Sequence, residues 1–179
     1  MNYIALLRGI NVGGNKKVPM EELRNAFGKL SFSSVKTLLN SGNVLFTSEE
    51  TDIHDLQKKI EEHLEKTFGW KIDTFVYPQE KLQQLIAAEP FQGVVVTPET
   101  RLYVTFIGSD AKESNLRIPY TSQDGNFSIR MMKDSILFSV LTLTKDGDTL
   151  KLMDLIGKEF GKNVTTRNWN TVKKLAAVH

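Results

Sequence analysis

Hydrophobic positions along the chain fall into short runs and helical stripes that follow one another in a regular order. Tyr3 to Leu7 is an apolar run of strand length. Met20, Leu23, Ala26, Phe27 and Leu30 then recur at helical spacing. Pro19 suits the first position of that helix, and Glu21 and Glu22 suit the positive end of its dipole. Val35 to Leu39 and Val44 to Thr47 read as strands, joined by the tight-turn signal Asn40-Ser41-Gly42-Asn43. A second helix from about Asp52 carries Ile53, Leu56, Ile60, Leu64 and Phe68 on one stripe and stops at Gly69. Lys71 to Tyr77 alternates as a fourth strand. Strand, helix, strand, strand, helix, strand is the split βαβ, or ferredoxin-like, order. It places the first and third strands in the middle of an antiparallel sheet, with both helices on one face.

Pro78 opens a third helix carrying Leu82, Leu85 and Ile86, and Pro90 closes it. Glu89 to Thr100, with Pro90, Gly93 and Pro98, has linker composition. The pattern then partly repeats. Leu102 to Ile107 is a strand, and Ser109 to Arg117 is weakly helical or irregular. Phe127 to Met132 and Ile136 to Leu141 form a hairpin around Lys133-Asp134. Thr149 to Phe160 is a helix with Gly161 as its stop, Asn163 to Thr166 a short strand, and Thr166 to Ala177 a last helix burying Trp169 and Val172. The expected architecture is α/β (α+β): two ferredoxin-like halves with antiparallel sheets, the second degenerate, plus a C-terminal helix. The first half covers 1–77, a helix and linker 78–100, and the second half 101–179, its final helix packing back on the first.

Composition narrows this little. At 179 residues, 25% charged and 40% hydrophobic, the chain can build one good core or two small ones. No apolar run approaches the roughly 20 residues of a membrane span, and the layout of a signal peptide is absent. A cytoplasmic location is the default. With no cysteine there is no disulfide framework and no thiolate chemistry. The three histidines are scattered, so a metal site is not expected, and no cofactor fingerprint stands out. A net charge of +2 does not by itself imply nucleic acid. Its distribution says more. Arg8, Lys16 and Lys17 lie in an opening stretch without acids, and Lys162, Arg167, Lys173 and Lys174 follow Glu159 with no acid between them.

The loop from Arg8 to Val18 is long for a strand-to-helix connection, where about two to six residues are usual. Gly13 and Gly14 free the backbone to face a ligand, Arg8 could clamp a phosphate or carboxylate with two donors, and Asn11 and Lys16 add polar groups. The stretch Gly9 to Lys16 fails the P-loop test, because an extra residue precedes the lysine and no Ser or Thr follows it. A structural glycine loop with solvated lysines accounts for the same residues. Ser41 and Asn43 could offer polar groups from the hairpin tip, or simply satisfy a tight turn. In Thr165-Thr166-Arg167-Asn168-Trp169-Asn170 either threonine would cap the last helix. Arg167 and Asn168 would then sit in its exposed first turn, where an anion is favoured. No acid/base pair can be picked out by spacing. An RNA-stacking sheet is disfavoured, since Ile4-Ala5-Leu6-Leu7 and Val44-Leu45-Phe46 are apolar on both faces.

Three motifs carry a family resemblance across essentially the whole chain. They are Leu7-Arg8-Gly9-Ile10-Asn11-Val12-Gly13-Gly14, Asn40-Ser41-Gly42-Asn43-Val44 and Thr165-Thr166-Arg167-Asn168-Trp169-Asn170-Thr171-Val172. In that order they resemble the bacterial family known as domain of unknown function 1697. The resemblance implies a small cytosolic bacterial protein of α/β type and brings no activity, substrate or catalytic residue with it.

These readings converge on an expectation. Arg8, Asn11, Gly13, Gly14, Lys16, Ser41, Asn43, Arg167 and Asn168 are the candidate ligand-binding residues. They would form a basic site for an anionic ligand, either nucleic-acid backbone or a phosphorylated small molecule, where the first loop meets the start of the last helix. An enzyme acting on a small anionic substrate at that site is the alternative, and a protein-interaction domain a second one. Oligomeric state is not legible.

Overall fold

The computed structural model of the protein describes residues 1–14, 16–144 and 147–178. Asn15, inside the expected glycine loop, lies outside the described residues. The chain divides into two compact units, residues 1–84 together with the C-terminal residues from Lys174, and residues 85–173.

The first unit contains β1 (Asn2–Leu7), α1 (Met20–Gly28), β2 (Ser33–Leu38), β3 (Asn43–Thr47), α2 (Ile53–Phe68), β4 (Thr74–Pro78) and most of α3 (Gln79–Ala87). Its sheet runs β2-β3-β1-β4 with every pairing antiparallel, so β1 and β3 are central as the strand order demands. Period-two alternation sends Tyr3, Ala5, Leu7, Val44 and Phe46 to one face, where Leu23 and Phe27 of α1 and Leu56, Ile60 and Leu64 of α2 pack on them. No residue from Tyr3 to Leu7 is more than 1% exposed, so β1 is covered on both sides. That closes the sheet as a base-stacking platform. Helix α2 begins where Asp52 accepts hydrogen bonds from the His54 and Asp55 N–H groups at 2.8 and 3.0 Å. It ends at Gly69, whose φ of 83° is left-handed.

The second unit contains β5 (Thr100–Ile107), β6 (Tyr120–Thr121), β7 (Phe127–Lys133), β8 (Ile136–Thr142), α4 (Asp148–Phe160), β9 (Val164–Asn168) and the first part of α5 (Trp169–Ala177). Its strand order is β6-β7-β8-β5-β9, again antiparallel. Setting aside β6, the order β7-β8-β5-β9 repeats β2-β3-β1-β4. Residues 108–119 carry no helix where the first unit has α1. Leu152, Ile156 and Phe160 of α4 pack on Ile129, Leu137 and Leu141.

Several boundaries depart from expectation, among them Pro78, which ends β4 instead of opening α3, and Thr100, where β5 starts instead of at Leu102. The fourth strand begins at Thr74 rather than Lys71, because its ladder ends with β1, where Leu7 pairs with Thr74. The strand expected to stop at Thr166 continues to Asn168, since Arg167 and Asn168 still pair with Val104 and Tyr103. The last helix therefore starts at Trp169 rather than Thr166. Neither threonine caps it. Thr166 Oγ1 lies 2.7 Å from Thr105 Oγ1 across the β5–β9 pair, while Asn168 Oδ1 accepts the Asn170 N–H at 2.9 Å.

The Ser139 hydroxyl, fully buried on β8 between Leu137 and Leu141, has no hydrogen-bond partner among the described residues. A buried hydroxyl left in this way costs about 1–3 kcal/mol. Ser139→Ala is expected to raise the urea unfolding midpoint, by about 1 kcal/mol in free energy after the small void it leaves. A loss of stability would show that the hydroxyl is satisfied.

Candidate functional site

The β1–α1 loop is held from within by Asn11. Its Oδ1 accepts the Val18 N–H at 2.8 Å, and its Nδ2 donates to the Val18 carbonyl at 3.0 Å and to the Asn40 carbonyl at 2.9 Å. All three contacts are near-ideal in length. Asn11 sits at φ 56°, a left-handed conformation that Asn tolerates better than most residues. The Asn11 N–H donates to the Lys16 carbonyl at 3.2 Å, closing the loop on itself. Of the described residues between these ties, Val12, Gly13 and Gly14 are exposed. Gly13 and Gly14, at φ 63° and 78°, have nothing within 4 Å of the position a Cβ would take, and Lys16 and Lys17 are exposed.

The β2–β3 turn is built against this loop. The Leu7 N–H donates to the Gly42 carbonyl at 2.7 Å. A Cβ on Gly42 would lie 2.9 Å from Ile10 Cδ1 and 2.9 Å from Leu7 Cβ, at a φ of 75°. Asn43 is fully buried, and its Nδ2 donates to the Leu38 carbonyl and to Ser41 Oγ, both at 2.9 Å. Ser41 and Asn43 thus spend polar groups on the turn itself.

Arg8 leaves the end of β1 and pairs with Asp73 Oδ2 at 3.3 Å, while Lys71 reaches Asp73 Oδ1 at 3.3 Å. Hydrogen bonding to Asp73 and its charge hold the Lys71 ammonium above its usual range. The Arg8 side chain is 36% exposed, so its pair with Asp73 is worth no more than about 1 kcal/mol. Arg8, Lys71 and Asp73 together carry one net positive charge.

Arg167 and Asn168 belong to the second unit, and Arg8 through Asn43 to the first. The structure corrects the exposed first-turn placement of Arg167. It lies in β9, buried, with Nη1 donating to Thr165 Oγ1 and to the Thr166 carbonyl, both at 2.9 Å. Burial lowers its pKa to about 10, which leaves it protonated at neutral pH.

An open cleft of ≈ 420 Å³ lies beside the loop, lined by Asn11, Gly14, Lys17, Val18, Pro19, Met20 and Asn40. Of the nine residues singled out from sequence, the cleft includes Asn11 and Gly14. Lys17 and Asn40 adjoin those residues in the chain but were not among them. Val18 to Met20, which form its apolar wall, gave no polar signal that sequence reading could use. Asp73 was also missed, because a carboxylate 65 positions from Arg8 leaves no pattern in the chain.

A mixed α/β fold with two antiparallel sheets, bearing a basic glycine loop beside an open cleft, defines the class. The chain belongs to the family described as "Protein of unknown function (DUF1697)", whose model matches residues 1–136. In fold it is similar to a conserved bacterial protein from Streptococcus pneumoniae, with a TM-score of 0.71 at 21% identity, over 98% of this chain and 96% of that one. No curated protein matches it. Among the described residues, no helix is long and apolar enough to cross a membrane.

Asn11→Gly keeps the left-handed backbone and removes only the side chain. It is expected to cost about 1–3 kcal/mol in urea unfolding and to speed amide exchange at Val18; unchanged exchange there would show that the loop is held otherwise. Gly42→Ala combines positive φ with two close contacts and is expected to cost at least about 2 kcal/mol. A change under about 0.5 kcal/mol would mean that Ile10 moves aside freely.

Proposed function

We propose that the protein is a binding module of the bacterial cytosol that holds an anionic, phosphate-bearing ligand at the β1–α1 loop of its first unit. The observation that supports this is the internal bracing of the loop by Asn11. The loop is tied at its two ends before any ligand arrives, and Gly14 and Lys17 edge a cleft of ≈ 420 Å³. Preorganisation of this kind lowers the ordering cost of binding. Glycine at two consecutive positions leaves the peptide groups approachable, and the two lysines supply charge-assisted donors. Arg8 contributes to the local positive potential, tempered by Asp73. Unit 1 alone supplies every group invoked.

Binding rather than catalysis is favoured by the lining. Among the described residues around the cleft, Lys17 is the one charged group, and no carboxylate or histidine is present to act as general base. A cytoplasmic location fits the cysteine-free sequence.

Titration with pyrophosphate tests the proposal. Wild type is expected to bind, and Lys16→Gln/Lys17→Gln to bind at least about tenfold more weakly, since a hydrogen bond to a charged group is worth about 1.5–3 kcal/mol. Equal affinity in both proteins would remove the loop as the anion site.

A further inference from the structure

The cleft beside the loop has two chemistries. Asn11, Gly14, Lys17 and Asn40 are polar, whereas Val18, Pro19 and Met20 are consecutive apolar residues at the entry to α1. Val18 is 2% exposed and fixed in the core, Met20 is half-buried against that core, and Pro19 is exposed. Val18 and Met20 thus anchor the apolar wall to the core. It is attached through both backbone groups of Val18 to Asn11, the residue that braces the polar side.

A phosphate alone has no use for such a wall, and a polyanion running along a surface needs charge at intervals rather than one lysine beside three apolar residues. At ≈ 420 Å³ the space matches a single small molecule. We propose that the ligand is a small phosphate monoester with a flat apolar body. Its phosphate lies against Gly14 and Lys17, and its ring lies on Pro19 and Met20. Asn40, exposed at the rim, is placed to accept from or donate to polar substituents on that body. This assignment rests on the anion-binding reading of the loop and adds the class of ligand to it.

The two readings part in one calorimetric series on wild-type protein, comparing methyl phosphate, phenyl phosphate and single-stranded oligonucleotides of increasing length. Phenyl phosphate is expected to bind about tenfold more tightly than methyl phosphate, the gain from removing about 60 Å² of ring surface from water. Pro19→Ser and Met20→Gln should each reduce that gain. Pro19 is exposed, so its variant answers even where the Met20 variant perturbs packing. Equal binding of the two esters would overturn the apolar-body assignment and leave the anion reading standing. Binding of neither ester would overturn both. Oligonucleotide affinity that climbs with length beyond phenyl phosphate would replace the small ligand by a nucleic-acid strand.

Discussion

One side-chain amide holds one end of the first unit together. Asn11 uses its acceptor on the Val18 N–H and its two donor hydrogens on the Val18 and Asn40 carbonyls. It thereby ties the exit of β1, the entry of α1 and the tip of the β2–β3 turn. An aspartate would keep the acceptor and lose both donors, and a glutamine would need a longer reach. Gly13 and Gly14 stay exposed next to a loop base that is cross-braced at a position tolerating left-handed backbone.

This bracing divides the polar residues of the region by use. Asn11 and Asn43 direct their amides to Val18, Asn40, Leu38 and Ser41. Gly13, Gly14, Lys16 and Lys17 face solvent. The first two motifs that carry the family resemblance mix the two kinds. Leu7 to Gly14 contains the brace and part of the presented surface, whereas Asn40 to Val44 contains a turn whose glycine must fit beside Ile10 and Leu7. Motif residues here report a loop shape.

Much of the first unit was legible in the sequence because its signals are local. The stripe from Leu56 to Leu64, the cap at Asp52 and the left-handed stop at Gly69 all follow from residues within a few positions of one another. The strands of the β7–β8 hairpin and helix α4 of the second unit were legible for the same reason, although the two-residue β6 was too short to leave a pattern. What was illegible is non-local. Asn11 meets a carbonyl 29 positions away and Arg8 a carboxylate 65 positions away, and neither spacing has a periodicity. Arg167 was misplaced because Thr-Thr-Arg-Asn reads equally as a capped helix start or as a strand. The pairing of Val104 with Arg167, across more than sixty positions, decides for the strand.

The measurement that bears most directly on the central claim is a pyrophosphate titration followed residue by residue through backbone amide resonances. The account predicts shifts confined to Gly13, Gly14, Lys16, Lys17 and Asn40, with Val18 unmoved because its N–H is already engaged by Asn11. Shifts centred on Lys71 and Asp73, or on the second unit, or none at saturating ligand, would contradict it.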